Sequence, residues 1–239
     1  MAPTLAYTPL EKLAVPSPVD RVEYIRRQCA GKTVLDLGAL DETAYSLKRG
    51  KGTWVHEEIA EVATCVVGID SSAAIPDSGL RTGPRSTIYR GDVCDLQGFL
   101  AQHPVPVEVV VAGELIEHVA NPLAFLRSIR NPGVLHGRTL IVTTPNATAL
   151  HNCLVALASR ESAHPDHLCI LSYKTLNTLL LRSGFKDWQL LHYYARFTEM
   201  KERQAGLRRT LVGVCESIVN GAEHVWPLLS FGLIANVTI

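Results

Sequence analysis

The sequence predicts an α/β fold, a mostly parallel sheet with helices on both faces. Three observations carry this reading. The stretch Thr33-Val-Leu-Asp-Leu-Gly38 reads as a buried strand that ends at a carboxylate and then a glycine. Cys65-Val-Val-Gly-Ile-Asp70 repeats the design, and Asp70 stands 34 residues after Asp36, about one β-α-β unit. Elsewhere, apolar runs of strand length alternate with segments of helical spacing. An ionisable side chain costs several kcal/mol in a dry core unless it is paired. An acid closing an apolar run therefore belongs at the strand's carboxyl end, the edge where open α/β sheets hold small ligands. Gly38 lets the backbone turn sharply there and come close to such a ligand.

Taken in order, residues 1–16 hold three prolines and no clear period, which suggests an arm or lid. Ser17-Pro18-Val19-Asp20 has the composition of a helix start, and Val19, Val22 and Ile25 give that helix an apolar stripe. The first strand follows Gly31. Residues 39–53 are polar and rich in glycine and lysine, a loop, and Trp54 to Ala63 has helical spacing. After the second strand, Pro76, Gly79, Gly83 and Pro84 mark 71–85 as loop. Ser86 to Arg90 reads as a third strand, followed by Gly91-Asp92, and Val107 to Ala112 as a fourth, followed by Gly113-Glu114-Leu-Ile-Glu117-His118. A helix spans about Pro122 to Arg130. A fifth strand, Arg138 to Thr144, ends at Pro145-Asn146. Residues 147–170 break the rhythm and carry His151, His164 and His167, the composition of an insert covering the sheet edge. Ser172 to Ser183 is helical, and strands near 187–195 and 231–239 flank a helix over about 199–221, so the last two strands can pair antiparallel.

Composition narrows the function. The 239 residues are 47% hydrophobic and 19% charged, enough to bury a large core and too apolar for a disordered chain. Lys+Arg and Asp+Glu both number 23, so no basic excess recommends a nucleic acid or an anionic membrane as partner. The six cysteines are scattered without a Cys-x-x-Cys pair, as expected for reduced thiols in a cytoplasmic protein. No apolar run approaches the roughly 20 residues that span a bilayer, and no signal peptide is visible.

Val34-Leu-Asp36-Leu-Gly38, Gly68-Ile-Asp70, Gly91-Asp92, Glu114-Leu-Ile-Glu117-His118 and Thr144-Pro-Asn146 stand in the order and spacing of class I S-adenosylmethionine-dependent methyltransferases. Over residues 30–195 the chain resembles that family. The resemblance implies a Rossmann-like, seven-stranded sheet with a reversed last strand. It divides the chain into an amino-terminal arm and helix, 1–30, and an S-adenosylmethionine-binding domain, 31–239, with a substrate-cover insert at 147–170. It also implies a cofactor site. Asp36 and Gly38 lie against the methionine part, with Leu40 beside them. Asp70, next to Ser71, accepts from the ribose hydroxyls. Asp92 and Val93 address the adenine, and Gly113 and Glu114 close the pocket. One departure stands out: the first loop reads Gly38-Ala39-Leu40-Asp41-Glu42 where the family carries two or three glycines. Trp54 and His56, just beyond it, are expected to fill the vacated space and contact the cofactor.

Methyl transfer from a sulfonium is an in-line displacement in which orientation supplies much of the acceleration. A base is needed when the acceptor is a hydroxyl or a protonated amine. His118 is the favoured base, since imidazole titrates in the useful range, and His167 is its companion in catalysis. The alternative is that His118 packs the turn after the fourth strand. If that turn is helical, Glu114, Glu117 and His118 share one face. With His167 they then complete a two-carboxylate, two-histidine site for a divalent cation, a set resembling that of ubiquinone-pathway and small-RNA 2′-O-methyltransferases. The expected activity is biosynthetic methyl transfer to a small-molecule hydroxyl or amine. RNA 2′-O-methylation and a non-catalytic member of the fold are the alternatives. A nucleic-acid or membrane partner is not expected, and the oligomeric state is left open, with a homodimer among the states allowed.

Overall fold

Eight strands form one sheet in a computed structural model that describes residues 10–40, 45, 54–202 and 204–239. They are β1 (Thr33–Leu37), β2 (Cys65–Asp70), β3 (Leu80–Gly83), β4 (Ser86–Arg90), β5 (Val109–Gly113), β6 (Thr139–Pro145), β7 (Asp187–Tyr193) and β8 (Gly232–Thr238). Their spatial order is β3-β4-β2-β1-β5-β6-β8-β7. β1 pairs in parallel with β2 on one side and β5 on the other, and β4 and β6 extend the parallel block. β8 runs antiparallel to both β6 and β7, the reversed last strand expected of this fold.

The two-residue period of each strand decides what each face carries. Val34, Val109, Val111 and Ile141 face one way and pack on Tyr24, Ile25 and Cys29 of α1 (Arg21–Cys29) and on Ile59 of α2 (Val55–Val62). Leu35, Leu37, Val110, Leu140 and Val142 face the other way. They meet Phe99 of α3 (Leu96–Gln102), Phe125, Leu126 and Ile129 of α4 (Pro122–Arg130), and Leu176 and Leu180 of α6 (Tyr173–Ser183). By the same period Asp36 points to the α1/α2 face, which settles its partner.

Local chemistry sets the helix ends. Asn121 Oδ1 accepts from Ala124 N at 3.0 Å at the start of α4, and Ser172 and Thr175 form a reciprocal capping box on α6. Gly184 ends α6 at φ 89°, in the left-handed region where a β-carbon is disfavoured.

Several expectations are corrected. α1 begins at Arg21, not Ser17, because Asp20 is the better cap and its Oδ1 accepts from Glu23 N at 2.9 Å. Val19 is therefore outside the helix, bridged to Tyr193. Residues 71–85 are not all loop. β3 pairs antiparallel with β4 around Pro84-Arg85, so the turn residues concealed a four-residue edge strand and the sheet has eight strands rather than seven. The helix expected over 199–221 is two, α7 (Thr198–Glu202) and α8 (Gly206–Val225), broken where Ala205 is extended and Gly206 takes φ 56°. The insert contains α5 (Leu150–Leu157), and α3 is a further helix between β4 and β5. Of the arm 1–30, residues 1–9 lie outside the described residues, as do Asp41 and Glu42 in the first loop, while α1 is packed into the core.

Candidate active site at the carboxyl edge of the sheet

The ends of β1, β2, β4, β5 and β6 deliver Asp36, Asp70, Asp92, Glu114 and Thr144 to one edge, as parallel strands in register must. Two of the loops are tied together: Asp70 Oδ2 accepts from Leu40 N at 3.0 Å, and its Oδ1 accepts from Ser72 N at 2.9 Å. Gly38 N and Ala39 N both donate to Ile69 O. Gly38 has φ 69°, which favours glycine, and a β-carbon there would lie 2.8 Å from Leu115 Cδ1 and push that side chain aside. Gly38→Ala is expected to lower Tm by a few degrees, through about 1–2 kcal/mol of backbone strain and displacement of Leu115. Thermal melts check it, and a variant that melts with the parent refutes it.

Beneath the loop, α2 supplies His56, which is 1% exposed. Its Nδ1 donates to Asp36 Oδ2 at 2.8 Å, while Nε2 meets Ser86 Oγ at 2.8 Å and Thr82 Oγ1 at 3.1 Å. Both ring nitrogens are thus engaged below the rim, and His56 supports Asp36 rather than facing the open edge. Trp54, also buried, donates through Nε1 to Ala39 O at 3.0 Å and holds the loop from below. Gly68, the register partner of Asp36, admits this packing: a β-carbon there would meet Ala39 and Ile88 at 2.8 Å and His56 at 3.1 Å. Ser71 is exposed beside Asp70. Asp92 is exposed and accepts from Cys94 N at 2.7 Å, and Val93 is half-buried with its carbonyl accepting from Ser128 Oγ.

Gly113 lies at the mouth of the edge, where, among the described residues, an added β-carbon would have only Thr143 Oγ1 nearby, at 3.9 Å. Glu114, next to it, takes φ 52°. Thr143 Oγ1 donates to its Oε1 at 2.8 Å, Tyr193 OH donates to the carboxylate at 3.1 Å, and Arg21 pairs with it at 3.4 Å. Burial, then the Glu114 charge, push the Tyr193 phenol well above its ordinary pKa, so it remains a donor. Arg21, Thr143 and Tyr193 are not among the residues that the sequence motifs single out. No local signal marks Arg21, because only the docking of α1 brings it here.

The segment after Glu114 is a turn, not a helix. Glu114 therefore does not share a face with Glu117 and His118. The chain brings Glu117, His118 and His167 together instead, with one ligand atom of each within 4.8 Å of the others. His118 and His167 have ring centroids 4.7 Å apart, and His164 joins at 6.2 Å from His118. Backbone bonds from Leu168 N and Cys169 N to Glu117 O pin the insert to this turn. Glu117 is fully buried. Thr144 Oγ1 donates to its Oε2 at 3.0 Å, and its Oε1 has no partner. Burial, then the neighbouring Glu114 charge, raise its carboxyl to about 8. Burial, then His118 and His164, lower His167, whose Nδ1 is buried and unpartnered.

A family model described as a methyltransferase domain matches residues 18–190. No curated protein matches the sequence. Among solved structures, an S-adenosylmethionine-dependent methyltransferase from Archaeoglobus fulgidus aligns with TM-score 0.50 and 15% identity, over 90% of this chain and 89% of that one. The small RNA methyltransferase HEN1 aligns with TM-score 0.57 and 15% identity, over 97% of this chain but 27% of its own. Phosphoethanolamine N-methyltransferase 2 of Haemonchus contortus, in complex with S-adenosyl-L-methionine, gives TM-score 0.52 and 14% identity, over 91% and 52%. At such identities the likeness is one of fold. With the family match spanning most of the sheet and the reversed strand in place, the chain belongs to the methyltransferase-domain family, with the class I, S-adenosylmethionine-dependent architecture.

Proposed function

We propose that the chain methylates a hydroxyl or amine of a small-molecule metabolite in a biosynthetic reaction, with His118 taking the acceptor's proton. The carrying observation is the convergence of His118 and His167 at the turn that follows β5, with ring centroids 4.7 Å apart. Bound S-adenosylmethionine supplies an electrophilic methyl on a sulfonium. The rim supports it: Asp70 and Asp92, whose carboxylates already hold the backbone N–H groups of Leu40, Ser72 and Cys94, are assigned to ribose and adenine, and Gly113 leaves room for close backbone approach. The lowered His167 stays neutral near pH 7, so it does not oppose a proton arriving on its neighbour. The neutral overall charge and the insert pinned over the site favour a small acceptor over an RNA. The six unbridged cysteines suit a cytoplasmic setting, and among the described residues no helix is long and apolar enough to cross a membrane.

The test has two stages. Calorimetry with S-adenosylhomocysteine is expected to give binding heat, and its absence at high protein concentration leaves only a scaffold. Transfer to catechol-like phenols and amines is then compared with transfer to short RNA. His118→Ala is expected to lower kcat by about 10²–10⁴ with unchanged S-adenosylhomocysteine affinity, and unaltered turnover sinks the base assignment.

A second reading, metal-assisted transfer including RNA 2′-O-methylation, draws on the cluster itself. Glu117 Oε1 and His167 Nδ1 are buried without partners and, with His118, fit a divalent cation. An ion held there would lower the pKa of an acceptor hydroxyl. Glu114 lies outside this group, its carboxylate engaged by Thr143, Tyr193 and Arg21. Manganese binding by calorimetry, and loss of turnover with chelator, support this reading, and indifference to both removes it.

A further inference from the structure

Helix α8 carries an apolar stripe on the wrong side for the core. Its inward positions are taken: Val219 is buried, Glu223 Oε2 accepts from Ala195 N at 3.0 Å, and Glu216 Oε1 accepts from Phe197 N at 3.1 Å. On the outward side stand Leu207, Leu211, Val214 and Ile218, which are 50–86% exposed, and Val225 at 66%. Their spacing, with Gly221 in the gap, is four-three-four-three-four. That is the seam of two helices packed knobs into holes, which asks for a partner helix of matching spacing. It is narrower than the broad face of a helix lying on a membrane.

We infer that α8 is a self-association surface on which a second copy of this chain seats its own α8 antiparallel, about a two-fold axis near Glu216. Three observations favour this occupant. A two-fold contact supplies each stripe with the complement it needs, the same stripe. The patch is also large enough. Exposed Trp226 lies at one end of α8, and α5, which α8 contacts, exposes Leu154 and Leu157. Together with the stripe these expose apolar side-chain area on the order of the roughly 800 Å² per partner of a standard interface. Charge sets the direction. Arg208 and Arg209 occupy the first turn of α8, which contains no acid, so they sit at the positive end of their own helix dipole. Antiparallel pairing moves Arg208, which flanks the seam beside Leu207, next to the negative end of the second helix. It also sets Leu211 opposite the second copy's Gly221 and Val214 opposite its Ile218, leaving Cys215, exposed and unbridged, beside its own symmetry mate.

Sedimentation of the full chain over about 1–100 µM checks this through mass action. The expected species is a dimer of twice 26.1 kDa. Leu211→Glu is expected to raise the dissociation constant at least a hundredfold with an unchanged circular dichroism spectrum and S-adenosylhomocysteine affinity. Mild copper-phenanthroline oxidation is expected to yield a disulfide-linked dimer that Cys215→Ser abolishes. A wild-type monomer throughout the range overturns the inference, as does a dimer that survives both Leu211→Glu and Ile218→Glu. Association seen only when phosphatidylglycerol vesicles are added overturns it in favour of a lipid surface. The result is independent of whether the chain transfers methyl groups.

Discussion

Replacing His56 with alanine is expected to destabilise the protein by about 3–5 kcal/mol, the usual cost of stripping a buried charge of its partner. Asp36 is 4% exposed, and His56 Nδ1 donates to it at 2.8 Å. The alanine leaves the carboxylate desolvated, strands the hydroxyls of Ser86 and Thr82, and opens a cavity under the first loop. For a chain of this size the loss corresponds to a fall in Tm of roughly 10 °C or more. Asp36→Asn keeps an acceptor for Nδ1–H and removes the charge, so it is expected to cost less. The pair Asp36→Asn with His56→Ala is expected to be more stable than His56→Ala alone, because no unpaired charge remains. Denaturant unfolding of the three variants gives the coupling energy directly. A His56→Ala protein within about 1 kcal/mol of wild type would falsify the view that this contact anchors the loop.

Glu117→Gln is expected to reshape the dependence of stability on pH. In the folded chain the Glu117 carboxyl is raised from 4.5 to about 8, so the native state keeps a proton that the unfolded state releases near 4.5. Stability from this group is fully present below 4.5 and is lost as pH rises through about 8. At about 1.4 kcal/mol per pH unit, the loss amounts to several kcal/mol at the alkaline end. Glutamine is nearly isosteric, keeps an acceptor for Thr144 Oγ1 and never ionises. The variant is therefore expected to melt near the wild type at pH 5 and well above it at pH 8.5, in buffers containing chelator. Parallel Tm profiles for the two proteins would show that Glu117 is ionised and compensated in the native state. His192 acts at the other end of the scale. It is fully buried with both nitrogens unpartnered, and burial lowers it to about 4. Its share of stability is present above 6.5 and is lost as pH falls through about 4, so the two groups do not mask each other at pH 8.5.

The sequence by itself determined seven of the eight strands and their common carboxyl edge. A period of two and an acid closing an apolar run are local signals, fixed by the backbone pleat and the cost of burying charge. Asp36, Asp70 and Gly113 were legible for that reason. β3 was not, since a four-residue edge strand between turn residues carries no apolar pattern. Tertiary structure alone decided the partners. His56 reads in sequence as a residue beyond a depleted loop, and only the docking of α2 on the Asp36 face turns it into a buried support. Glu114, Glu117 and His118 look like one helical face, yet Glu114 enters the left-handed region and departs toward Arg21 and Tyr193. His167 takes its place from 49 residues beyond His118. Such contacts join side chains across long loops, and no spacing rule reaches them, because their energy appears only once the core has folded and excluded water.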